Sequence, residues 1–173
     1  LLSAVPLDWS RVTVLPTDER QVPEDSDRSN ARLIRKRLLT GPASSAGFQP
    51  LWGEDAETVL EAVNALLPID VLLLGMGADL HVASLFPGAE GLEAAFAVDA
   101  PPVVEIRAAT AGEPRVSLSA QVLTDARQAH LLIAGDDKRK ALRGLPYGGS
   151  AGAGALKVPV ALVLDRARIH WSE

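Results

Sequence analysis

Residues 75–88 read Gly-Met-Gly-Ala-Asp-Leu-His-Val-Ala-Ser-Leu-Phe-Pro-Gly. Asp79, His81 and Ser84 thus offer an acid, an imidazole and a hydroxyl in one short stretch flexed by Gly75 and Gly77. A neutral imidazole can take a proton from water near neutral pH, which makes His81 a candidate general base. An isolated histidine in such a turn more often hydrogen-bonds its own loop. The glycines, Asp79 and Ser84 around it favour chemistry instead. The stretch follows Asp70-Val71-Leu72-Leu73-Leu74, an apolar run that reads as a buried strand. Open α/β sheets bind their ligands at the carboxyl ends of strands, where this turn falls.

Other charged residues are less decisive. Asp18-Glu19-Arg20 places three charges in a row in a loop after a short strand, as consistent with solvated surface as with a site. Arg115 lies near a strand start, and Lys138, in Gly135-Asp136-Asp137-Lys138, falls in the first turn of a helix. The helix dipole disfavours a cation there, so Lys138 is either a tolerated surface residue or is held by an anion. Helix amino ends combined with Arg or Lys make good phosphate sites. His130 and His170 read as structural or exposed; Glu54-Asp55-Ala56-Glu57 and Arg35-Lys36-Arg37 read as helix ends and solvated faces. Asp79 and His81 lack a second histidine at ligand spacing, so no metal site is assigned.

The elements that must position these groups alternate. Val12-Thr13-Val14-Leu15 is β-prone. After a loop at Pro23-Glu24-Asp25-Ser26-Asp27, Ser29-Asn30 caps a helix with Leu33, Ile34, Leu38 and Leu39 on one face and Gly41-Pro42 as its stop. Residues 42–53 read as a glycine, serine and proline linker, and Glu54 to Leu67 as a helix with Val59, Leu60, Val63, Leu66 and Leu67 at helical spacing. Beyond the glycine turn, residues 103–107 and 115–118 form an antiparallel pair around Gly112, and Ala120 to Ala126 a short helix. His130 to Gly135 is a buried strand followed by a basic helix from Asp137. Val158 to Leu164 is a further strand and Ile169-His170-Trp171 a terminal one. Gly148 to Gly154 follows no strand directly and reads as a flexible surface loop. The class is therefore α/β, with a mainly parallel sheet flanked by helices.

A chain of 173 residues is long enough for one compact domain, assigned to 1–173. The first residues look like the end of a helix, so an upstream strand is expected and the domain is read as amino-terminally incomplete. The net charge of −5 argues against general nucleic-acid binding. No apolar run approaches a membrane span, and no signal peptide is visible. The absence of cysteine excludes thiol catalysis and disulfides and is compatible with a cytoplasmic protein.

At this point the pieces resemble one family, the 6-phosphogluconolactonases. Trp9, Val12, Asp18-Glu19-Arg20, Val22-Pro23 and Ser29-Asn30 resemble its DER-x-VP…SN segment. Gly75 through Pro87 resembles its GMGxDGHTASLFP block. Pro114 to Ser119, Gly135 to Lys138 and Leu156 to Val160 resemble its later blocks, so the likeness runs from about Leu7 to the end. The resemblance implies a fold shared with glucosamine-6-phosphate deaminases and ribose-5-phosphate isomerases. It implies a carboxylic ester hydrolase that converts 6-phospho-D-glucono-1,5-lactone to 6-phosphogluconate in the pentose phosphate pathway, without metal or organic cofactor. It further implies a small sugar phosphate lactone as the partner; neither nucleic acid nor membrane is expected as a partner, and a monomer is expected. By the same resemblance His81 is the base that activates water and then the acid that returns a proton to the ring oxygen. Arg20 steadies the charge on the carbonyl oxygen, and Arg115 and Lys138 grip the phosphate. Asp18, Asn30, Gly75, Gly77, Asp79 and Ser84 line the pocket or orient His81.

Two departures accompany the likeness. Leu80 stands where the family has glycine, and leucine resists backbone angles that glycine tolerates, so either a strained turn or a crowded pocket is expected. The family's amino-terminal phosphate loop is not within these residues. Two alternatives follow: a non-catalytic sugar-phosphate sensor, and a glucosamine-6-phosphate deaminase-like isomerase. The isomerase is disfavoured because Phe86 occupies the place of that family's glutamate, which assists ring opening.

Overall fold

The computed structural model describes residues 2–145 and 154–173. Two 3-10 turns, Leu2–Ala4 and Trp9–Arg11, lead into β1 (Thr13–Val14), β2 (Asp18–Arg20) and α1 (Asn30–Arg37). A further 3-10 turn, Gly41–Ser45, precedes β3 (Gly47–Phe48), α2 (Ala56–Asn64) and β4 (Val71–Gly75). There follow α3 (Leu92–Phe96), β5 (Val103–Ile106), β6 (Arg115–Leu118) and α4 (Ala120–Asp125). The chain closes with β7 (Gln128–Ala134), α5 (Asp136–Arg143), α6 (Ala161–Leu164) and β8 (Ala167–Ser172).

The main sheet is parallel, in the order β4-β7-β8, with Gly75 opposite Leu132 and Ala134 opposite Ser172. β1 and β3 form a small parallel pair, while β2-β6-β5 is a separate antiparallel sheet whose β5–β6 turn contains Gly112 at φ +79°. The expected α/β class with parallel strands and flanking helices is what the chain adopts. Leu72, Leu74, Leu131 and Ile133 point into the core, joined by Val63, Val82, Leu85, Ile106, Leu118 and Val163. Each such side chain contributes roughly 1.5–3 kcal/mol of burial.

Several expectations need correction. The runs at 70–74 and 130–135 are buried on one face only: Val71 is 54 %, Leu73 49 % and Leu132 49 % exposed. Strand side chains alternate between faces, so a continuous apolar run does not prove that both are covered. Residues 158–164 are not a strand but a tight turn leading into α6. Pro159 cannot donate to a sheet ladder, and a short apolar run cannot be told from a buried helical turn by periodicity alone. The supposed linker at 42–53 holds a 3-10 turn and β3. Leu33 is exposed, and Ala31 is the buried residue of α1. Asp18-Glu19-Arg20 is strand β2, not loop. Of the glycine-rich segment, residues 148–153 lie outside the described residues. α1 begins where predicted, with the Ser29 hydroxyl accepting from the Arg32 N–H; α2 is shorter than the predicted 54–67, starting at Ala56 after Asp55, whose carboxylate accepts from the Glu57 N–H, and ending at Asn64.

Candidate active site

The glycine turn leaves the carboxyl end of β4 and folds back on itself. The Leu80 N–H donates to the Gly77 carbonyl at 3.1 Å, and the Gly77 N–H to the His81 carbonyl at 3.0 Å. Leu80 sits at φ +69°, in the left-handed region, so the departure from glycine falls where glycine's freedom matters. Its half-buried side chain packs on the core, and its carbonyl accepts from the Val160 N–H at 3.0 Å. The strain is thus offset by packing and by an anchor to the start of α6. Gly77 has a different reason for being glycine: a Cβ there would overlap the His81 imidazole and the Asp79 carboxylate.

That imidazole and carboxylate are paired, with His81 Nδ1 and Asp79 Oδ1 2.5 Å apart. Burial raises the Asp79 pKa, but the hydrogen bond and charge of His81 outweigh it and hold the carboxyl below the usual range. An ionised carboxylate only accepts, so Nδ1 carries the proton and donates, leaving the lone pair of the neutral ring on Nε2. Nε2 is therefore the atom able to take a proton from water.

The antiparallel sheet brings up the cations. Arg20 and Arg115 are register partners on β2 and β6, so their side chains share one face. Burial first, then the charge of Arg20, lowers the Arg115 pKa, while Asp18 opposes the shift. Arg115 Nη1 lies 3.4 Å from both Asp18 Oδ2 and Ser84 Oγ, and the buried Ser84 hydroxyl donates to Asp18 Oδ2 at 2.5 Å. The Ser84 N–H donates to Ser117 Oγ at 3.3 Å, tying the far end of the glycine turn to β6. Arg20 Nη1 donates to the Arg28 carbonyl at 2.7 Å and to Asn30 Oδ1 at 3.0 Å; Asn30 Nδ2 donates to the Asp18 carbonyl at 2.8 Å. Both guanidinium Nε atoms are buried without a hydrogen-bond partner among the described residues. Two neighbouring cations with unspent donors form a site suited to an anion.

Of the residues singled out from sequence, Asp18, Arg20, Asn30, Ser84 and Arg115 come together, beside the Asp79–His81 pair. Lys138 lies in the first turn of α5, at the same carboxyl edge of the parallel sheet, and makes no hydrogen bond to that cluster among the described residues. A Cβ at Gly75 would meet nothing within 4 Å, so no steric need explains that glycine. Sequence reasoning missed Glu19 and Phe86. Buried Glu19 accepts from the Arg20, Asn30 and Ala31 N–H groups and the Ser29 hydroxyl at 2.6–3.0 Å. Phe86 packs its ring on His81. Strand alternation, once β2 is known to be a strand, would have sent Glu19 away from Asp18 and Arg20.

Among the described residues no three His, Cys, Asp or Glu side chains gather to hold a metal. No helix there is long and apolar enough to cross a membrane. A cavity of about 460 Å³ lies elsewhere, at the amino end of β4, lined by Asn64, Pro68, Ser119, Gln121 and Arg166. Its lining contains neither a histidine nor a cation pair.

Comparison with known proteins gives the family. A family profile described as glucosamine-6-phosphate isomerases/6-phosphogluconolactonase matches residues 1–171. The chain is 39% identical to a 6-phosphogluconolactonase of Rhizobium meliloti, over 99% of this chain and 77% of that protein. It is 41% identical to one from Mesorhizobium japonicum, over 99% and 74%. The crystal structure of a 6-phosphogluconolactonase from Shewanella baltica superposes with a TM-score of 0.90 at 32% identity, covering 99% of this chain and 76% of that one. The chain belongs to the glucosamine-6-phosphate isomerase/6-phosphogluconolactonase family.

Proposed function

We infer that this protein is a 6-phosphogluconolactonase: it hydrolyses 6-phospho-D-glucono-1,5-lactone to 6-phosphogluconate in the pentose phosphate pathway. The observation that carries the mechanism is the Asp79–His81 pair beside the Arg20–Arg115 cations. In this reading His81 Nε2 takes a proton from water as the oxygen attacks the lactone carbonyl carbon. The resulting imidazolium is steadied by Asp79. It returns the proton to the ring oxygen as the carbon–oxygen bond breaks, which opens the ring and leaves a carboxylic acid that ionises and releases its proton to solvent. Arg20 steadies the negative charge on the former carbonyl oxygen, while Arg115 and Lys138 hold the phosphate. Asp18, Asn30 and Ser84 keep the two guanidiniums in place.

The magnitudes are adequate. A lactone is already an activated ester, and general-base help is worth roughly a hundred- to ten-thousand-fold. Binding of the remote phosphate contributes by fixing the carbonyl over Nε2. We place the activity in the cytoplasm, where charged sugar phosphates are retained, and in a monomer, since every group the mechanism uses comes from one chain. The test is hydrolysis of freshly prepared 6-phosphogluconolactone, followed by acid release. A rate well above the spontaneous one is expected. Binding of 6-phosphogluconate without acceleration would overturn the enzyme in favour of a sensor.

A further inference from the structure

We propose that Phe86 is a positioning residue that sets the base and the anion-binding cations at a fixed separation; this rests on the reading of His81 as the base. The ring is buried. Its centroid lies 4.2 Å from that of the His81 imidazole, with the planes 39° apart, and Arg115 Cζ lies 5.3 Å from the same centroid. One rigid, non-titrating side chain therefore touches both the proton-transfer end and the cationic end of the site.

The other attachments leave each group a degree of freedom. His81 is held at Nδ1 by a single side-chain bond, about which the imidazole can still swing. Arg115 is held through Nη1 by two 3.4 Å contacts, long for hydrogen bonds, and its Nε has no partner among the described residues. The aromatic face supplies the missing wall. Its quadrupole attracts the guanidinium at all times, and the imidazolium once His81 has taken up a proton. A leucine of similar bulk would fill the space without either attraction. The ring packs in the core, and the turn that carries it is fixed: the Phe86 N–H donates to the Ser84 carbonyl at 3.1 Å, and the Ser84 hydroxyl is bonded to Asp18.

The experiment compares hydrolysis of 6-phosphogluconolactone by the wild type, Phe86→Leu and Phe86→Tyr, with nitrogen-15 NMR of the histidine rings. Phe86→Leu is expected to lower kcat by about tenfold or more and to raise KM by about threefold, since small misplacements of reacting groups are costly. Phe86→Tyr, which keeps the ring, recovers both. In the wild type His81 shows one Nδ1–H tautomer and ring protons shifted upfield by the neighbouring aromatic; Phe86→Leu, with Asp79 still in place, keeps the tautomer but loses the upfield shift and broadens the Nδ1–H signal as the ring swings. Wild-type kinetics in Phe86→Leu, equal damage in the two variants, or lost activity with a sharp, wild-type Nδ1–H signal would each overturn the role. If Phe86→Leu does not fold, the wild-type spectrum decides, because a His81 ring without an upfield shift contradicts the contact. His81→Ala is the control. An inactive wild type defeats the underlying reading, whereas an active wild type, an inactive His81→Ala and normal Phe86 variants defeat the positioning role alone.

Discussion

In the proposed mechanism Asp79 sets the proton chemistry of His81. An asparagine in its place can face the ring with its amide N–H groups and select the wrong tautomer, so Asp79→Asn is expected to lower kcat by about a hundredfold. KM should change little in the same steady-state assay, and a kcat near wild type would contradict the pairing. The stability effect has a definite sign. The Asp79 pKa is lowered in the folded protein, so its stabilisation is present above the unfolded carboxylate pKa and is lost as pH falls through the folded value. Urea unfolding should show wild type ahead of Asp79→Asn at pH ~7 and the gap closing below pH ~4. The gap is small, because the Asp79 side chain is half exposed. Leu80 poses a balance of two terms. Its left-handed backbone costs about 1–2 kcal/mol. Replacement by glycine removes that cost but also roughly 1 kcal/mol of half-buried packing, and adds about 0.5–1 kcal/mol of unfolded-chain entropy. Leu80→Gly should therefore leave stability within about 1 kcal/mol of wild type and retain activity; a large gain in denaturant midpoint would show that strain dominates. The Asp79–His81 pair was legible in the sequence because its members are two residues apart. The Ser84–Asp18 bond was not, because 66 residues separate its partners.

Glu19 ties two elements together at the scale of strand and helix. Its carboxylate accepts four hydrogen bonds from β2 and the start of α1, so the helix start that presents Asn30 and the Arg28 carbonyl to Arg20 depends on it. A glutamine would turn N–H groups toward donors, leaving buried groups unsatisfied. Glu19→Gln is expected to cost roughly 3 kcal/mol in denaturant unfolding and to loosen Arg20. A loss under about 1 kcal/mol would mean that water replaces those bonds. The same elements show where sequence reading ran short. The helix start at Ser29 was readable because its cap is local. β2 and β3 were not, since strands of two or three residues are made by their partners β6 and β1 rather than by their own pattern. The run at 158–164 has strand composition, yet it turns at Pro159 to place the Val160 N–H on the Leu80 carbonyl.

Two of the three sheets build the site: a parallel sheet that delivers His81 and Lys138, and an antiparallel sheet that delivers Arg20 and Arg115, joined through Ser84 to Asp18 and Ser117. Both depend on a core concentrated on one face of β4 and β7. Leu131, fully buried, should cost about 3 kcal/mol when replaced by alanine, whereas Leu132, 49 % exposed, should cost less than about 1 kcal/mol. Paired denaturant curves check this, and equal losses would contradict the one-sided burial. The α/β class was legible from the alternation of apolar runs with helical spacing; the second sheet's place beside the glycine turn was not, because it rests on tertiary contacts alone. The central claim, that a single imidazole drives lactone opening at the junction of these sheets, is tested most directly by His81→Ala. Hydrolysis of 6-phosphogluconolactone and binding of 6-phosphogluconate should be measured on the same folded protein. In His81→Ala, kcat should fall by about a hundredfold or more toward the spontaneous rate while product affinity stays near wild type. Undiminished hydrolysis by His81→Ala would contradict it.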